Sequence, residues 1–441
     1  MSESSIDELY KPHLQTLMRR TERSLAASGF DALVIHAGTA PIQFLDDQDY
    51  PYKVNPHFKA WVPIEDNPGC ILVVAPGARL KVLFHQPNDY WHKPARLPRA
   101  PWTAEVDLIA MDEASKASGH WAHLRRVAYI GPDGFSAETD PASINPPDLL
   151  SRLHYDRAVK TAYELECMRR ASALGARGHQ AALAAFRRGE SEYEAHMRYL
   201  EACSQREQEM PYNNIVAYNE NSAVLHYQHL ERTAPAPLRS FLLDAGAQYR
   251  GYASDITRTY AAAPCRFADL VDAVDAAQRV LCGEIVAGRD YREVHLSAHR
   301  RLGDVMQEIG LTKLPGQAAL ELGVTSVFFP HGIGHLLGLQ VHDVGGVMGD
   351  EQGHERQRPE GHPYLRLTRM LEPGVVVTVE PGIYMIDSLL AAAHADSRRT
   401  HIDWSVVEEL KPFGGIRIED NVVTTSTQPE NLTRDAFARV A

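Results

Sequence analysis

The sequence has few cysteines, and their spacing excludes the frameworks that cysteine usually builds. Five occur in 441 residues and none belongs to a CxxC pair. They are Cys70, Cys167, Cys203, Cys265 and Cys282. An odd number of widely spaced thiols argues against a disulfide framework or a structural zinc site. We therefore expect buried or incidental thiols in a cytoplasmic protein.

Long apolar runs and excess positive charge are also missing. No uninterrupted apolar run approaches the ~18 residues that cross a bilayer. The opening segment MSESSIDELYK has neither the basic region nor the apolar stretch of a signal peptide. Acidic residues outnumber basic ones by 57 to 45, so the formal net charge is −12. We therefore expect no membrane partner and no general attraction to nucleic acid.

What is present is the composition of an ordinary globular protein, 44% hydrophobic and 23% charged. A chain of this length exceeds one typical domain. The stretch PDGFSAETDPASINPPD is rich in Pro, Ser and Asp, which is typical of a linker. We therefore predict two domains, at residues 1–155 and 156–441.

The first of these domains has the pattern of a small α/β fold. Apolar spacing predicts a helix over His13–Ala27, and the strand Ala32–His36 follows. The runs CILVVA and RLKVLFH, separated by a Pro-Gly turn, predict a hairpin. The short run VAYIG at Val127–Gly131 is typical of an inner strand.

The second domain opens on helical signals and continues with strands. Capping-box spacing at Thr161–Glu164 and again at Ser191–Glu194 predicts the starts of two helices. Strand-like runs dominate from Asn213 and are interrupted by helical spacing over Phe267–Ile309. This mixture indicates an α+β fold rather than a regular βαβ series.

The first chemical signal is the run FLLDAGAQYRGYASDITRTY, which has the pattern of two strands around a turn. If the turn centres between Tyr249 and Arg250, Asp244 and Asp255 lie opposite one another. Directly opposed side chains are ~5 Å apart, and two bare carboxylates would repel at that distance. A divalent cation between them is the simplest remedy, because carboxylates suit hard metals.

The second signal is PHGIGHLLGLQVHD, which contains His331, His335 and His342. Neutral imidazole is a common ligand of transition metals. The glycines of this segment allow close approach of the backbone to a ligand.

Two glutamates supply the third and fourth signals. Glu380 ends the strand-like run VVVTVE, and Glu419 lies in GGIRIED. Alternation along GGIRIED puts Arg417 and Glu419 on one face of the strand.

Each signal also has an ordinary interpretation. One aspartate could pair with Arg258 while the other is solvated at a turn, and the histidines could belong to a plain loop. Arg417 and Glu419 could form a surface ion pair of little energetic worth. Taken together, however, an ordered set of Asp, Asp, His, Glu and Glu suits a pair of divalent cations bridged by oxygen ligands.

At this point the sequence resembles a known family. The segments DAGAQYRGYASDITRT, HGIGHLLGLQVHD, TVEPGIY and IRIED resemble motifs of the pita-bread metallopeptidases, which include methionine aminopeptidase, aminopeptidase P, creatinase and prolidase. A closer similarity is to bacterial proline dipeptidases (prolidases) and their organophosphorus acid anhydrolase relatives. It is carried by YPYKVNPHFKAWVP, NDYWHKP and PYNNIVAYNENSAVLHYQH. The resemblance implies a pita-bread catalytic domain at 156–441, after a smaller creatinase-like α/β domain.

The resemblance also implies a metal set. Five positions match the family's ligands to two divalent ions per subunit: Asp244, Asp255, His335, Glu380 and Glu419. Asp255 and Glu419 match the bridging ligands. His335 is preferred to His331 because the family's ligand lies seven residues before a later histidine, here His342. The family's usual metal is manganese, for which cobalt or zinc could substitute.

The roles of other residues follow from the same resemblance. A hydroxide bridging the two metals would be the nucleophile, and Glu380 the general base. His342 would stabilise the oxyanion, and Arg366 would hold a terminal carboxylate, although Arg366 could also be an exposed strand charge. We assign catalytic roles to Glu380, His342, His331 and Arg417. We assign substrate contacts to His226, Arg366 and Tyr212.

The implied activity is hydrolysis of Xaa-Pro dipeptides to release proline, with organophosphorus triesters as a side substrate. An aminopeptidase P activity on longer Xaa-Pro peptides is the alternative. A non-catalytic binding protein of this fold should have lost ligands, whereas all five positions are suitably occupied.

The first domain is implied to mediate a homodimer and to form the rim of the active site. Candidates for that rim are Asp47, Tyr50 and Trp91. His57, His85 and His92 are expected to be structural or surface residues.

Overall fold

The computed structural model describes residues 3–88, 90–91, 93–132 and 140–440. The chain divides into two compact units. The N-terminal unit comprises Met1–Glu166 and the short segment Asp350–His354, and the C-terminal unit comprises Cys167–Gly349 and Glu355–Ala441. None of the helices in the described ranges has the length and apolar character needed to cross a bilayer.

The N-terminal unit is built around one mixed sheet. Its strands are β1 (Ala32–His36), β2 (Ile71–Val74), β3 (Lys81–His85), β4 (Asp107–Met111) and β5 (Val127–Ile130). Its helices are α1 (Glu3–Ser28), α2 (Pro56–Lys59) and α3 (Pro147–Arg157). The strand order is β4-β3-β2-β1-β5, with β1–β2 and β2–β3 antiparallel and the two outer pairs parallel.

Two predictions for this unit need adjustment. The predicted hairpin is present as β2 and β3, but β5 is an edge strand, so its assignment as an inner strand was wrong. A single bridge from Tyr129 to Ile144 covers part of that edge, which explains why an apolar strand is tolerated there. Helix α1 starts ten residues before the predicted His13, because Ile6 and Tyr10 are buried on the same side as Leu14.

The C-terminal unit contains nine helices and ten strands within the described ranges. The helices are α4 (Ala162–Arg187, beginning in the N-terminal unit), α5 (Glu192–Cys203), α6 (Arg266–Gly283), α7 (Tyr291–Glu308), α8 (Gly316–Glu321), α9 (Thr325–Phe328), α10 (Asp387–Ala395), α11 (Trp404–Leu410) and α12 (Leu432–Val440). The strands are β6 (Ile215–Tyr218), β7 (Ser240–Asp244), β8 (Gln248–Tyr249), β9 (Tyr252–Ala253), β10 (Thr257–Ala261), β11 (Val376–Val379), β12 (Gly382–Tyr384), β13 (Gly415–Arg417), β14 (Asp420–Val423) and β15 (Glu430–Asn431).

Both predicted capping boxes are present at the starts of α4 and α5. The Thr161 N–H donates to Glu164 Oε2 at 2.8 Å, and the Glu164 N–H returns a bond of 3.4 Å to Thr161 Oγ1. Ser191 and Glu194 form the same reciprocal pair. These boxes satisfy amide groups that have no partner inside a helix.

The strands of the C-terminal unit form small antiparallel sheets, with orders β10-β7-β6, β11-β14-β15, β12-β13 and β8-β9. Isolated bridges link them, including one from Thr257 to Glu419 and one from Leu336 to Val377. The predicted α+β class is confirmed.

Strand β7 shows how the core directs a polar side chain. Phe241 and Leu243 pack into an apolar cluster with residues of α4 and α5, and the ring of Phe186 stacks on Phe241 at 5.1 Å. Leu242 packs on the opposite face of the sheet. Because side chains alternate along a strand, Asp244 shares the face of Leu242 and points away from the helices.

Candidate metal centre and active site

The two aspartates lie on one face of the β7–β10 hairpin, but not directly opposite one another. Asp244 pairs with Thr257, and the tight turn is formed by Arg250 and Gly251, both with positive φ. The predicted turn position was therefore wrong, and the register is shifted by two residues. A shift of two residues leaves every side chain on the same face of the sheet, so Asp255 is a diagonal neighbour of Asp244.

Tyr212 joins the two aspartates. Its hydroxyl lies 2.8 Å from Asp244 Oδ1 and 2.6 Å from Asp255 Oδ1. A phenol carries one proton and can donate it to only one of the two oxygens. The arrangement is complete only if a proton or a cation compensates the second carboxylate.

His335 is held in the loop between α9 and β11 by bonds on both sides. Its N–H donates to Thr378 Oγ1 at 3.1 Å, and its carbonyl accepts from the Thr378 N–H. Its Nδ1 donates to the carbonyl of Leu336 at 3.0 Å, which leaves Nε2 with a free lone pair. Burial lowers the pKa of His335 to about 4, so the ring is neutral near pH 7.

Each of the two glutamates lies between two consecutive strands. Glu380 comes directly after β11, and its N–H is bonded to the carbonyl of Ile333. Glu419 lies between β13 and β14, where Thr257 Oγ1 donates to its Oε2 at 2.7 Å. Backbone pairing with Thr257 therefore brings Glu419 to the aspartate hairpin.

The predicted ligand atoms converge. One ligand atom each from Asp255, His335 and Glu419 lie within 4.8 Å of one another. His335 Nε2 is 3.4 Å from Asp255 Oδ2 and 3.7 Å from Glu380 Oε1. Asp244 adjoins this group through Tyr212.

Burial of so many acidic groups has a clear electrostatic effect. Burial raises the pKa of Asp255 to about 8, and the charge of Asp244 adds to the shift. Burial and the neighbouring carboxylates also raise the pKa of Glu380 and of Glu419 well above the usual range for glutamate. The site thus holds more negative charge than it can keep ionised without added cations.

The residues present fit a pair of divalent metal ions. Four carboxylates and one neutral imidazole offer oxygen donors with a single nitrogen, the set that suits Mn²⁺ and similar ions. The orientation of His335 by a backbone carbonyl is the usual support of a metal-bound imidazole.

Arg417 is a buried cation at the edge of the acidic group. Its Nη2 donates to Asp244 Oδ2 at 2.6 Å, and its Nη1 donates to the Tyr384 hydroxyl at 3.0 Å. The Tyr384 hydroxyl in turn lies 2.8 Å from His331 Nε2. Arg417 is therefore not half of a surface ion pair with Glu419. The alternative in which Arg258 pairs with Asp244 or Asp255 is also wrong, since Arg258 bonds Asp420 instead.

His331 is neutral and oriented by this chain. Its Nδ1 donates to the carbonyl of Gly332 at 2.8 Å, so its Nε2 accepts from the Tyr384 hydroxyl. Burial and the nearby Arg417 lower the pKa of His331 to about 3. The Glu380 Oε2 atom lies 3.7 Å from His331 Nδ1.

The acidic group forms the base of a cavity of about 890 Å³. All eleven predicted site residues line it: Tyr212, His226, Asp244, Asp255, His331, His335, His342, Arg366, Glu380, Arg417 and Glu419. His226, His342 and Arg366 are exposed to the opening. Within the described part of the chain, the Arg366 guanidinium has no ion pair, so it is free to bind an anionic group.

His342 contacts His335, the predicted metal ligand, directly. Its ring meets that of His335 edge to face, with centroids 4.4 Å apart. Partial desolvation inside the cavity and the neighbouring His335 lower the pKa of His342 to about 3, so it offers a neutral N–H near pH 7.

Sequence reasoning missed one buried residue beside the cavity and two residues of the cavity wall. Tyr384 connects Arg417 to His331, although it lies within the TVEPGIY motif that was singled out. Arg358 and Tyr364 also line the cavity, but no spacing signal marks them. All three residues of β12 are buried, so alternation along the strand does not single out Tyr384. Its role, like that of the loop residues, required the tertiary structure.

In the N-terminal unit, the predicted rim residues Asp47, Tyr50 and Trp91 are all exposed. The His57 ring contacts His154, and His85 bonds the carbonyl of Pro68. His92 lies outside the described residues.

Comparison with known proteins gives a consistent assignment. Residues 8–155 match the family model for the N-terminal domain of Xaa-Pro dipeptidase, and residues 166–426 match that for metallopeptidase family M24. The Xaa-Pro dipeptidase of Xanthomonas campestris pv. campestris (strain B100) is 50% identical over 99% of this chain and 100% of its own. The Xaa-Pro dipeptidase of Stenotrophomonas maltophilia (strain K279a) is 50% identical over 98% of this chain and 97% of its own.

Among solved structures, zinc-substituted E. coli aminopeptidase P in complex with product is similar, with a TM-score of 0.72 and 25% identity. The similarity covers 97% of this chain and 95% of that one. Proline aminopeptidase P II from Yersinia pestis also has a TM-score of 0.72, with 26% identity and coverage of 97% and 98%. The converging ligand set, the matched catalytic domain and the full-length relatives lead to one conclusion: this chain is a hydrolase that belongs to metallopeptidase family M24.

Proposed function

We propose that this protein hydrolyses Xaa-Pro dipeptides and releases free proline. The observation that carries the proposal is the combination, in one cavity, of the acidic ligand set with the unpaired guanidinium of Arg366. A dipeptide has a free carboxylate directly beside the scissile bond, and a planar guanidinium binds carboxylates in two-point contact. The relatives named Xaa-Pro dipeptidase support the same substrate.

We further propose that Asp244, Asp255, His335, Glu380 and Glu419 hold two divalent ions, with manganese as the first candidate and cobalt or zinc as substitutes. When bound, such a pair supplies an acidified water and polarises the scissile carbonyl. Asp255 and Glu419 are the proposed bridging ligands.

The chain's own residues would then move the protons. Glu380 accepts a proton from the attacking water and returns it to the proline nitrogen as the C–N bond breaks. This return matters because the nitrogen of an Xaa-Pro bond is a tertiary amide with no hydrogen of its own. The neutral His342 N–H donates to the developing oxyanion.

The remaining residues are proposed to position the substrate. Arg366 and His226 line the cavity opening and would bind the proline carboxylate. His331 is fixed by Tyr384 and would contact the substrate beside Glu380. Tyr212 and Arg417 hold Asp244 and Asp255 in place.

The test is hydrolysis of Ala-Pro and Leu-Pro by metal-stripped protein with and without Mn²⁺. We expect activity only with the metal. We expect Asp255→Asn to lower it by roughly 10³ or more, because a proposed bridging ligand is lost. Asp272→Asn, an exposed residue on α6, is the matched control and should be fully active. Metal binding without release of proline would contradict the substrate assignment.

Aminopeptidase P activity is the second candidate, because solved structures of that enzyme share the fold over nearly the whole chain. Ala-Pro-Ala distinguishes the two, since a dipeptidase should cleave Ala-Pro far faster. Organophosphorus triesters are a further proposed side substrate, because the same nucleophile can attack phosphorus. Paraoxon hydrolysis with the same Mn²⁺ dependence and the same Asp255→Asn sensitivity would support it.

We also propose a homodimer built through the predicted first domain, residues 1–155. Several large apolar side chains of the N-terminal unit are exposed, among them Phe44 at 88%, Leu45 at 90% and Trp91 at 76%. Exposed apolar groups of this size commonly mark protein interfaces. Sedimentation should give twice the chain mass of 49.1 kDa. Replacing Phe44 and Leu45 with serine should yield monomer, whereas Met197→Ser in the C-terminal unit should not.

The same surface is the proposed rim that limits substrate length. We expect Trp91→Ala and Asp47→Asn to increase cleavage of Ala-Pro-Ala relative to Ala-Pro. An unchanged ratio in both variants would place the length limit elsewhere.

A further inference from the structure

A second group of metal-binding side chains lies apart from the acidic site. His295 and His299 are one turn apart on α7, and His362 approaches them from the loop that precedes β11. The three ring centroids are 4.6–4.7 Å apart. One nitrogen from each ring lies within 4.8 Å of the others. We call these residues the histidine triad.

Two nitrogens of the triad have no partner. His295 and His299 are each only 1% exposed, yet no hydrogen bond reaches His295 Nδ1 or His299 Nε2 from any described residue. A buried polar atom left unpaired destabilises the folded state, because its hydration is lost with no hydrogen bond in exchange. Such atoms in a folded protein call for a bound water or ion as the missing partner.

The other nitrogens fix the rings. His299 Nδ1 bonds the buried Thr325 hydroxyl at 2.7 Å, and His295 Nε2 contacts His362 Nδ1 at 2.9 Å. A hydrogen bond on one imidazole nitrogen sets the tautomer and directs the other toward a ligand. In the tautomer in which His299 Nδ1–H donates to the Thr325 hydroxyl, His299 Nε2 is a lone-pair donor.

The donor set differs in kind from the catalytic one. Three imidazoles with no carboxylate suit Zn²⁺, Cu²⁺, Ni²⁺ or Co²⁺, whereas Mn²⁺ prefers oxygen. Burial lowers the pKa of His295 to about 3 and that of His299 to about 2. Both rings are therefore neutral at physiological pH, the form in which imidazole binds metal.

We propose that His295, His299 and His362 form a transition-metal site of the zinc type, separate from the acidic centre. With Zn–N bonds of ~2.05 Å in tetrahedral geometry, ligand nitrogens are about 3.3 Å apart. The triad nitrogens lie within 4.8 Å of one another, so the rings must draw together around the ion. His362 must also give up or widen its 2.9 Å contact with His295 Nε2. His362 is only half-buried, so its ring can make that movement.

The position of the triad gives the ion a structural role. His362 lies four residues before Arg366, in the loop that also carries Tyr364 to the cavity wall. An ion held by the triad ties this loop to α7. The Phe329 ring, 4.8 Å from both His299 and His331, separates the triad from the catalytic cavity.

The test uses the full chain with its acidic site already loaded with Mn²⁺, titrated with Zn²⁺ and with Co²⁺. Bound metal is counted by plasma emission after dialysis, and Co²⁺ coordination is followed by visible absorption. We expect one additional equivalent of Zn²⁺ and, with Co²⁺, the intense bands of a tetrahedral site. Both should be missing in His299→Gln and in His362→Asn. His394→Gln, an exposed helical histidine, is the matched control and should keep them.

Two results would overturn the proposal. One is the absence of an additional equivalent in the wild type, which would leave bound water as the partner of the orphaned nitrogens. The other is an additional equivalent that persists in both variants, which would place it at another site. If His299→Gln does not fold, His362→Asn decides the matter, because its half-buried side chain can be replaced with little effect on packing.

Discussion

At the scale of single residues, the acidic site is defined by an excess of acceptors over protons. The Tyr212 hydroxyl faces two carboxylates with one hydrogen to give. Arg417 compensates only Asp244 directly. The protein therefore tolerates this cluster by protonation when metal is absent and by cation binding when metal is present.

The first prediction concerns the pH dependence of the metal-free protein. The pKa of Asp255 is about 8 in the folded state and near 3.8 in the unfolded chain. Between these values the folded state holds more protons, so its free energy of unfolding falls as pH rises. The contribution is complete below about pH 4 and lost as pH passes through 8.

Urea unfolding of metal-free protein at pH 6 and pH 8 measures this effect. We expect a loss of up to about 1.4 kcal/mol per pH unit from this one carboxyl group. Asp255→Asn should show a smaller loss, because its amide does not titrate. An equal loss in the variant would contradict the assignment to Asp255.

The second prediction concerns Glu380→Gln. We expect kcat for Ala-Pro to fall by roughly 10²–10⁴, the usual contribution of a general acid–base group. The metal-free variant should be at least as stable as the wild type, since one member of a mutually repelling set is gone. Glu360→Gln, an exposed change on the cavity-wall loop, is the control for both measurements. Retained kcat would exclude Glu380 as the proton carrier.

The residues that form the acidic site were easier to predict from sequence than their arrangement in space. Asp244 and Asp255 were correctly predicted to be neighbours. A register shift of two residues leaves both side chains on the same face of the hairpin. Their pairing was placed two residues away, because the positive φ of Arg250 moves the turn by one position and a bulky residue gives no signal for that conformation. Tyr384 was overlooked because its role depends on Arg417 and His331, which meet it only in the folded chain.

At the scale of elements, the start of α5 organises a wall of the cavity. Glu192, next to the capping residue Ser191, is 1% exposed. Its carboxylate accepts bonds from the Tyr218 and Glu231 N–H groups, both at 2.8 Å. It also accepts from the Asn221 amide and the Tyr227 hydroxyl. Four bonds thus hold the loop that carries His226.

The third prediction follows from these bonds. In Glu192→Gln, one oxygen becomes an amide nitrogen that faces two donors, so buried groups are left unpaired. We expect the free energy of unfolding to fall by about 2–3 kcal/mol. KM for Ala-Pro should rise more than kcat falls, since His226 is displaced while the metal ligands are not. Glu201→Gln, exposed on the same helix, is the control, and an unchanged KM would argue against a positioning role.

Elements with local signals were predictable from sequence, and those fixed by tertiary packing were not. The capping boxes at Thr161 and Ser191 each depend on only four consecutive residues, and both helices begin where predicted. The short helices α10 and α11 follow no clear apolar spacing, so they were missed. The edge position of β5 was misjudged because an apolar strand has the same pattern whether one neighbour or two flank it.

At the scale of the whole molecule, buried histidines limit stability in acid. Burial lowers the pKa of His179 to about 3, and His295 and His299 are shifted in the same direction. The unfolded chain binds these protons from about pH 6.5 downward while the folded chain does not, so stability falls as pH decreases.

The fourth prediction is an acid slope that depends on these residues. Each contributes at most about 1.4 kcal/mol per pH unit below pH 6.5. We expect His179→Phe to have a shallower decline in unfolding free energy between pH 6.5 and 5 than the wild type. His123→Gln, an exposed change, should leave the slope unaltered. Parallel slopes for all three proteins would rule out His179 as a contributor.

The chain order of the N-terminal unit has a consequence for biosynthesis. Asp350–His354 belongs to that unit, and Glu351 Oε1 accepts a 2.8 Å bond from Arg152 Nη1 within it. At ~5–20 residues per second, a ribosome adds this segment roughly 10–40 s after residue 166. The nascent N-terminal unit therefore lacks this segment until most of the second unit has been synthesised. The last segment of the first unit is synthesised before Glu380 and Glu419, so all residues of that unit are in the chain before the acidic ligand set is complete.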